Sequence, residues 1–591
     1  MRRSAPGCGR TGGTRTGEPA EAPTTSLLAE SKGFCYEGIC MGSHLKYLAL
    51  VLILAAIVAC GRENNNKPEP TGPAAGGVKD DSPAFGDVLV LSSIGDASTL
   101  IPMLASDSSS HEVAAFIFNG LVKYDKDFNI VGDLARSWDI ENEGKLLRFH
   151  LRNDVLWHDG EKFTAKDVMF TYRLIVDPRT PTAYAEKYKL VRSARIVDEY
   201  TFEVEYDKPL APALISWGSL QILPEHLLKG QDISKTPFAR NPVGTGPFRF
   251  VSWQTGQKIV LKANETYFDG MPYLMGITYR VIPDQNTQFL ELKAGAIDMM
   301  GLTPLQYLRQ TSSPDFESKY NKYKYLSDGY TYLGFNLKRK PFDDVLVRRA
   351  IAHAIDKREI IKGVLMGLGE VATGPYKPDT RWYNPSVKDF AYSPDSARAL
   401  LMEAGYLDRD GDGVVEKDGK PLSMTVLTNQ GNPLREKTAQ IIQQRLKAVG
   451  VDVRIRIIEW TVFLKEYVDK GNFDAVILGW NILQDPDLFN VWHSSQAKKG
   501  GLNFVGYKDA EVDSLLEKGR QTFDESQRKR CYDRIQEILA DQQPYVFLYV
   551  PYSLPAVSSR IKGIVPAPAG ITYNLEKWYV PKHLQKYTIL Q

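Results

Sequence analysis

Residues 422–487 read LSMTVLTNQGNPLREKTAQIIQQRLKAVGVDVRIRIIEWTVFLKEYVDKGNFDAVILGWNILQDPD. Leu422, Met424 and Val426 alternate with Ser423 and Thr425, the period of a strand with one buried face. Asn432-Pro433 supplies a cap and a first-turn proline; Ile442, Leu446 and Val449 then recur on one helical face, and Gly450 stops the helix. Val451, Val453, Ile455 and Ile457 alternate with Asp452, Arg454 and Arg456 as a second strand. Residues 461–470 predict a short helix, and FDAVIL (473–478) a nearly all-apolar third strand. Strand-helix-strand-helix-strand with short connections implies parallel pairing and an α/β fold. In such sheets ligands sit beyond the carboxyl ends of the strands. Those ends are Asn429-Gln430, Glu459-Trp460 and Trp480-Asn481, with Asp485-Pro486-Asp487 just beyond. Tryptophans, amides and carboxylates on one rim make a binding mouth.

The 591 residues exceed what one core organises, so two or three lobes are expected. Lys+Arg at 73 against Asp+Glu at 71 argues for no nucleic-acid partner. Aromatic content of 11 %, with 30 Tyr and 9 Trp, fits either ordinary packing or a broad aromatic-lined cleft. The cysteines are Cys8, Cys35, Cys40, Cys60 and Cys531; three lie in an amino-terminal segment without a folding pattern, which leaves no disulfide framework or metal cluster to expect. Cys531, alone in a helical pattern, reads as a packed residue.

The amino terminus sets the compartment. Residues 1–40 lack apolar periodicity and read as untranslated upstream sequence or disorder, with translation opening at Met41. Residues 41–59 then form a signal sequence: His44 and Lys46 give a polar n-region, and 45–58 an apolar stretch short for a membrane span. Ile57-Val58-Ala59-Cys60 matches the bacterial lipobox, so Cys60 is expected to carry the lipid that anchors the chain to a bilayer. Residues 60–84 add a flexible linker of Asn, Pro, Gly and charge. The protein is expected outside the cytoplasm, periplasmic or at the cell surface.

Further along, 88–91 (VLVL) predicts a buried strand, 100–110 a polar loop and 113–121 a helix. Residues 147–178, LRFHLRNDVLWHDGEKFTAKDVMFTYRLIVDP, combine an alternating strand, an Asp159-Gly160 turn and a helix capped by Thr164 with Val168, Tyr172 and Ile175 buried. This block resembles the signature of family 5 extracellular solute-binding proteins, the oligopeptide-, dipeptide- and nickel-binding receptors of ABC importers. NPVGTGPF (241–248), FNL (335–337) with PFDDVLVRRA (341–350), YSP (392–394) and 501–516 follow in the family's order, from about residue 85 to the end. Read physically, Val347, Ala350, Ile351, Ala354 and Ile355 make one apolar helix face and Asp356 caps the next helix. Gly244 and Gly246 are expected to allow a tight turn between strands.

The resemblance implies a two-lobed periplasmic-binding-protein-like α/β fold of class II, with an extra subdomain in the first lobe and a two-segment hinge. Lobe I would comprise 85–329 and 546–591, with 123–240 inserted, and lobe II 330–545. The chain would cross near 327–333 and return near 544–552. It implies no enzyme and no cofactor, but a peptide ligand held between closing lobes and an ABC permease as partner. In peptide-binding relatives the segment after the tryptophan corresponding to Trp480 pairs with the peptide backbone, and an aspartate there receives its ammonium. Here Trp480 is followed by Asn481, Ile482, Leu483 and Gln484. Asp485 or Asp487 serves instead, or the ligand lacks a free amine there. Asp107, Ser108 and Ser109 fall where lobe I would offer the opposite edge, or form a solvated loop. Trp460 lies on the rim; Tyr330 and Tyr332 stack on ligand or pack at the hinge.

Asp408, Asp410, Asp412 and Glu416 imitate a calcium loop, but Gly419 stands at the twelfth position, which favours a charged hairpin. There is no H-E-x-x-H, G-x-S-x-G or Walker A motif. His158 and His353 read as structural. Within the receptor class, a nickel chelate, a sugar or an opine-like compound is the competing ligand; a sensory or scaffold lipoprotein is the competing role.

Overall fold

The computed structural model describes residues 80–481 and 484–588. The signal segment, Cys60, the other amino-terminal cysteines and Ile482-Leu483 lie outside the described residues. Strands Ser423–Asn429 and Asp452–Ile458 run parallel, registered from Ser423↔Asp452 to Asn429↔Ile458, with helix Pro433–Lys447 between them in sequence. The Asn432 side chain accepts from the Arg435 N–H at 3.1 Å. Gly450 takes φ +82°, and a Cβ there would lie 2.8 Å from Val415 Cγ1. Strand Ala475–Asn481 joins the other side of Ser423–Asn429, also parallel.

The segment between the second and third strands departs from the expected single helix. A short turn, Trp460–Val462, opens into π-helical Phe463–Val468. Phe463 and Val468, five residues apart, are both buried, a spacing that a π turn brings to one face.

Strand Ala475–Asn481 pairs antiparallel with Gly329–Phe335 along its whole length, and that strand pairs with Tyr545–Ser553. Helices cover both faces of this mixed sheet. Val347, Ala350, Ile351, Ala354 and Ile355 pack with Ile442 and Leu446 on one face; Phe463, Trp492, Tyr532 and Leu539 pack on the other.

A second body of structure contains strands Val88–Ser93 and Gly276–Val281, paired in parallel and extended antiparallel by Lys258–Ala263 and Phe248–Gln254. An antiparallel sheet of Ala135–Glu141, Leu146–Leu151, Thr201–Tyr206 and Val191–Asp198 packs into the same core. Thr164 and Asp167 form a capping box on helix Ala165–Val176. The chain runs twice between the bodies. Tyr320–Lys322 and Pro555–Ser558 pair in a small sheet with Met299–Gly301, while Tyr325–Leu326 and Tyr545–Ser553 belong to the large one. The architecture is two-lobed α/β.

Two local expectations change. The helix expected at 113–121 is Ser108–Ile117, because Asp107 caps it by accepting from the Ser110 N–H at 2.8 Å. Gly244 and Gly246 are small because the Ile117 carbonyl passes over them, not because a turn needs them; a Cβ at Gly244 would lie 1.8 Å from that oxygen. The Gly246 N–H donates to it at 2.8 Å. His158 clamps the same segment: Nδ1 accepts from the Gly244 N–H at 3.2 Å and Nε2 donates to the Gly246 carbonyl at 3.0 Å.

Candidate ligand-binding cleft

The carboxyl ends of the parallel strands face one another across the lobes. On one side Val88–Ser93 and Gly276–Val281 lead into Ile94-Gly95 and Pro283. On the other, Ser423–Asn429 and Asp452–Ile458 lead into Gly431 and Trp460. The walls touch at both points. A Cβ on Gly95 would lie 2.6 Å from Trp460 Cδ1, and one on Gly431, at φ +81°, 1.8 Å from the Pro283 carbonyl oxygen. The half-buried Trp460 thus closes one corner of the cleft.

Trp480 lies at the end of its strand, half-buried, its Nε1 donating to Tyr545 Oη at 3.3 Å and its ring 6.0 Å from Phe504. Tyr332 is fully enclosed and stacks on Tyr545 at 3.9 Å; Tyr330 is also buried. These tyrosines form the platform under Trp480. Asn481 is exposed, beside Gly329 of the neighbouring strand. The ladder between Ser423–Asn429 and Ala475–Asn481 is registered only at Val426↔Ala475 and Leu427↔Val476. Beyond it, residues 478–481 have no strand neighbour on that edge among the described residues. A free strand edge offers its amides and carbonyls to an extended ligand.

The acidic loop that follows brackets the lobes. Asp487 is buried and takes a bidentate grip from Arg520, both contacts at 2.9 Å, while Lys187 of the opposite lobe stands 3.7 Å away. Burial pushes the Asp487 carboxyl up, but Arg520 and Lys187 outweigh it and hold the group below its ordinary value. Asp485 holds Arg528 Nη2 at 3.1 and 3.0 Å. Each carboxylate already has an arginine. The Ala211 N–H to Arg520 carbonyl bond at 2.7 Å and the Lys498–Glu186 pair at 2.9 Å add contacts across the lobes.

On the lobe I wall, Asp107 is buried and accepts from Ser98 Oγ at 2.6 Å and Ser110 Oγ at 2.8 Å. Ser109 is buried against Ser93 Oγ at 3.1 Å, whereas Ser108 is exposed. Three groups escaped the sequence reading. Glu112 is exposed and accepts from Tyr279 Oη at 2.6 Å; protein around it pushes its carboxyl up. His111 stands beside it, exposed yet pushed down by desolvation, within 3.4 Å of Tyr184 Oη. Arg435 Nη1 donates to Asn429 Oδ1 at 2.8 Å, and burial lowers its guanidinium pKa. Recognising Ser108–Ile117 as a helix in the sequence would have put Ser108, Glu112 and Ala115 on one open face.

Elsewhere no reactive constellation forms among the residues singled out. His158 is held in its clamp and His353 Nδ1 lies 2.8 Å from the Ala391 carbonyl oxygen. Asp408, Asp410 and Glu416 cluster at the loop closed by the Leu407–Glu416 bridge, just before the hairpin of Glu416–Lys417 with Lys420–Pro421, and the Asp408 carboxylate accepts the Gly411 and Gly413 N–H groups. Among the described residues no helix is long and apolar enough to cross a membrane.

Comparison with known proteins fits this geometry. The profile of the bacterial extracellular solute-binding proteins, family 5 (middle), matches residues 129–501. The oligopeptide-binding protein AppA of Bacillus subtilis is 34% identical over 551 residues, spanning 91% of this chain and 99% of its own. Its structure with a nonapeptide superposes with a TM-score of 0.81, covering 85% of this chain and 100% of that one. NikZ of Campylobacter jejuni, solved with Ni(L-His), gives a TM-score of 0.76 at 29% identity, covering 83% of this chain and 99% of that one. The dipeptide-binding protein of Escherichia coli is 28% identical over 82% of this chain and 92% of its own. These are binding proteins of transporters, not enzymes. The chain belongs to the bacterial extracellular solute-binding proteins of family 5.

Proposed function

We propose that this chain is a lipid-anchored receptor that captures peptides between its lobes and delivers them to an ABC permease. The observation that carries the peptide reading is the free edge of residues 478–481 beside the half-buried Trp480. A peptide backbone recognised this way forms ladder hydrogen bonds that tolerate varied side chains. The similarity to oligopeptide- and dipeptide-binding proteins along most of the chain supports the same ligand class.

In this reading Trp480, Asn481 and Trp460 form the lobe II wall and Ser108 the lobe I wall. Asp485, Asp487, Tyr332, Asp107 and Ser109 shape those walls from behind. Lobe I is assigned to 85–329 with 546–591, carrying 123–240 as its inserted subdomain, and lobe II to 330–545. Closure turns on the two strands that run between them. Cys60, following the signal sequence 41–59, carries the lipid, and 60–84 tethers the receptor outside the cytoplasm.

The test is thermal shift with a mixed peptide pool and with the same pool N-methylated on its backbone. A ligand at about 100 times its Kd stabilises by about 2.7 kcal/mol. Unmodified peptides are expected to raise Tm and N-methylated ones not. A shift given instead by a nickel–histidine chelate or a sugar keeps the receptor and overturns the substrate.

A further inference from the structure

Glu112 combines properties that rarely meet in one carboxylate. It projects from helix Ser108–Ile117, whose Ser109, Ser110, Val113, Ala114 and Ile117 are buried, on the face where Ser108 and Ala115 are exposed. Its site is the lobe I wall. Tyr279, its hydroxyl donor at 2.6 Å, lies on the strand that leads to Pro283, and Ser109 bonds Ser93 at the end of the strand that leads to Gly95. Pro283 and Gly95 are the points where Gly431 and Trp460 of lobe II press in.

Glu112 is exposed as a residue, while the protein around its carboxyl pushes the pKa up by desolvation, against the Tyr279 hydrogen bond. Tyr279 fills one of its roughly four acceptor positions. No Lys, Arg or His pairs with it among the described residues, whereas Asp485 and Asp487 both hold arginines. Nearby Asp107 adds negative charge. The chemistry that completes this site is a hydrogen-bonding cation.

We propose that Glu112 receives a cationic group of the captured ligand, either the amino-terminal ammonium of a peptide or a lysine or arginine side chain. The inference rests on the peptide reading and assigns to lobe I the recognition that the segment after Trp480 lacks. Ligand selection then favours peptides that place a positive charge against helix Ser108–Ile117.

The experiment is isothermal titration of the purified protein with four six-residue alanine-based peptides. They carry a central lysine or norleucine, each with a free or an acetylated amino terminus. The unaltered protein is expected to bind a cationic form about tenfold tighter than acetylated norleucine peptide, a charge-assisted hydrogen bond of ordinary strength. Comparing the acetylation and lysine arms identifies which cation is read. Glu112→Gln is expected to erase that preference while leaving the acetylated norleucine peptide within about twofold. Glu112→Asp, which keeps the charge, is expected to retain part of it, which a merely structural loss would not do. An unchanged preference in Glu112→Gln, or none in the unaltered protein, overturns the inference and leaves the receptor standing. Failure of every peptide to bind the unaltered protein overturns both.

Discussion

His158 makes a quantitative prediction about stability and pH. Its Nδ1 accepts from the Gly244 N–H and its Nε2 donates to the Gly246 carbonyl, so the clamp needs a neutral ring. Burial pushes its pKa down to about 4, against the Gly246 bond, which raises it, and with Arg249 lowering it further. The unfolded chain holds this proton below about 6.5. Between those values the unfolded state binds more protons than the folded one, so stability falls as pH falls. The pKa difference corresponds to about 3 kcal/mol lost between pH 6.5 and 4, at roughly 1.4 kcal/mol per unit. Urea unfolding of the protein and of His158→Gln at stepped pH values isolates this contribution, because the remaining titrations are shared. His158→Gln is expected to be less stable at pH 7 and to close that gap on acidification. Parallel stability curves across this range would refute the reasoning.

Other expectations follow from particular contacts. Arg520→Ala leaves the Asp487 carboxylate buried with Lys187 alone, and a loss of about 3–5 kcal/mol in thermal unfolding is expected, partly recovered by adding Asp487→Asn. Gly244→Ala drives a Cβ into the Ile117 carbonyl and is expected to cost about 1–3 kcal/mol in urea, whereas Gly301→Ala, in open space, stays near neutral. Gly95→Ala sets a methyl against Trp460, so small-angle scattering should report a more open molecule. Trp480→Ala is expected to weaken peptide binding at least about tenfold, measured by titration, while removing only one hydrogen bond from the fold.

Where a signal is local, the sequence carried the fold. Alternation over 422–426 and 451–457, the Asn432 cap, the Thr164 capping box and the apolar face from Val347 to Ile355 all depend on neighbours a few residues apart. The Asp485 and Asp487 partners did not, since Arg528 and Arg520 lie 43 and 33 residues away. No spacing rule joins them. The π turn at Phe463–Val468 was hidden because its apolar pattern also suits an α-helix. The serine run before His111 read as a loop until Asp107 proved to cap it, which concealed Glu112. The reason for Gly244, a backbone crossing from Ile117, is long-range and leaves no mark in sequence. The rim residues Trp460 and Trp480 were legible from the strand ends; the free edge beyond Val476 came from the register.

The central claim is that the cleft holds peptide. The most direct measurement is mass spectrometry of small molecules released by denaturing protein purified from its native host. The account predicts a heterogeneous set of short peptides at near-stoichiometric amount, lost in Trp480→Ala. A single non-peptide compound, retained equally by both proteins, would contradict it.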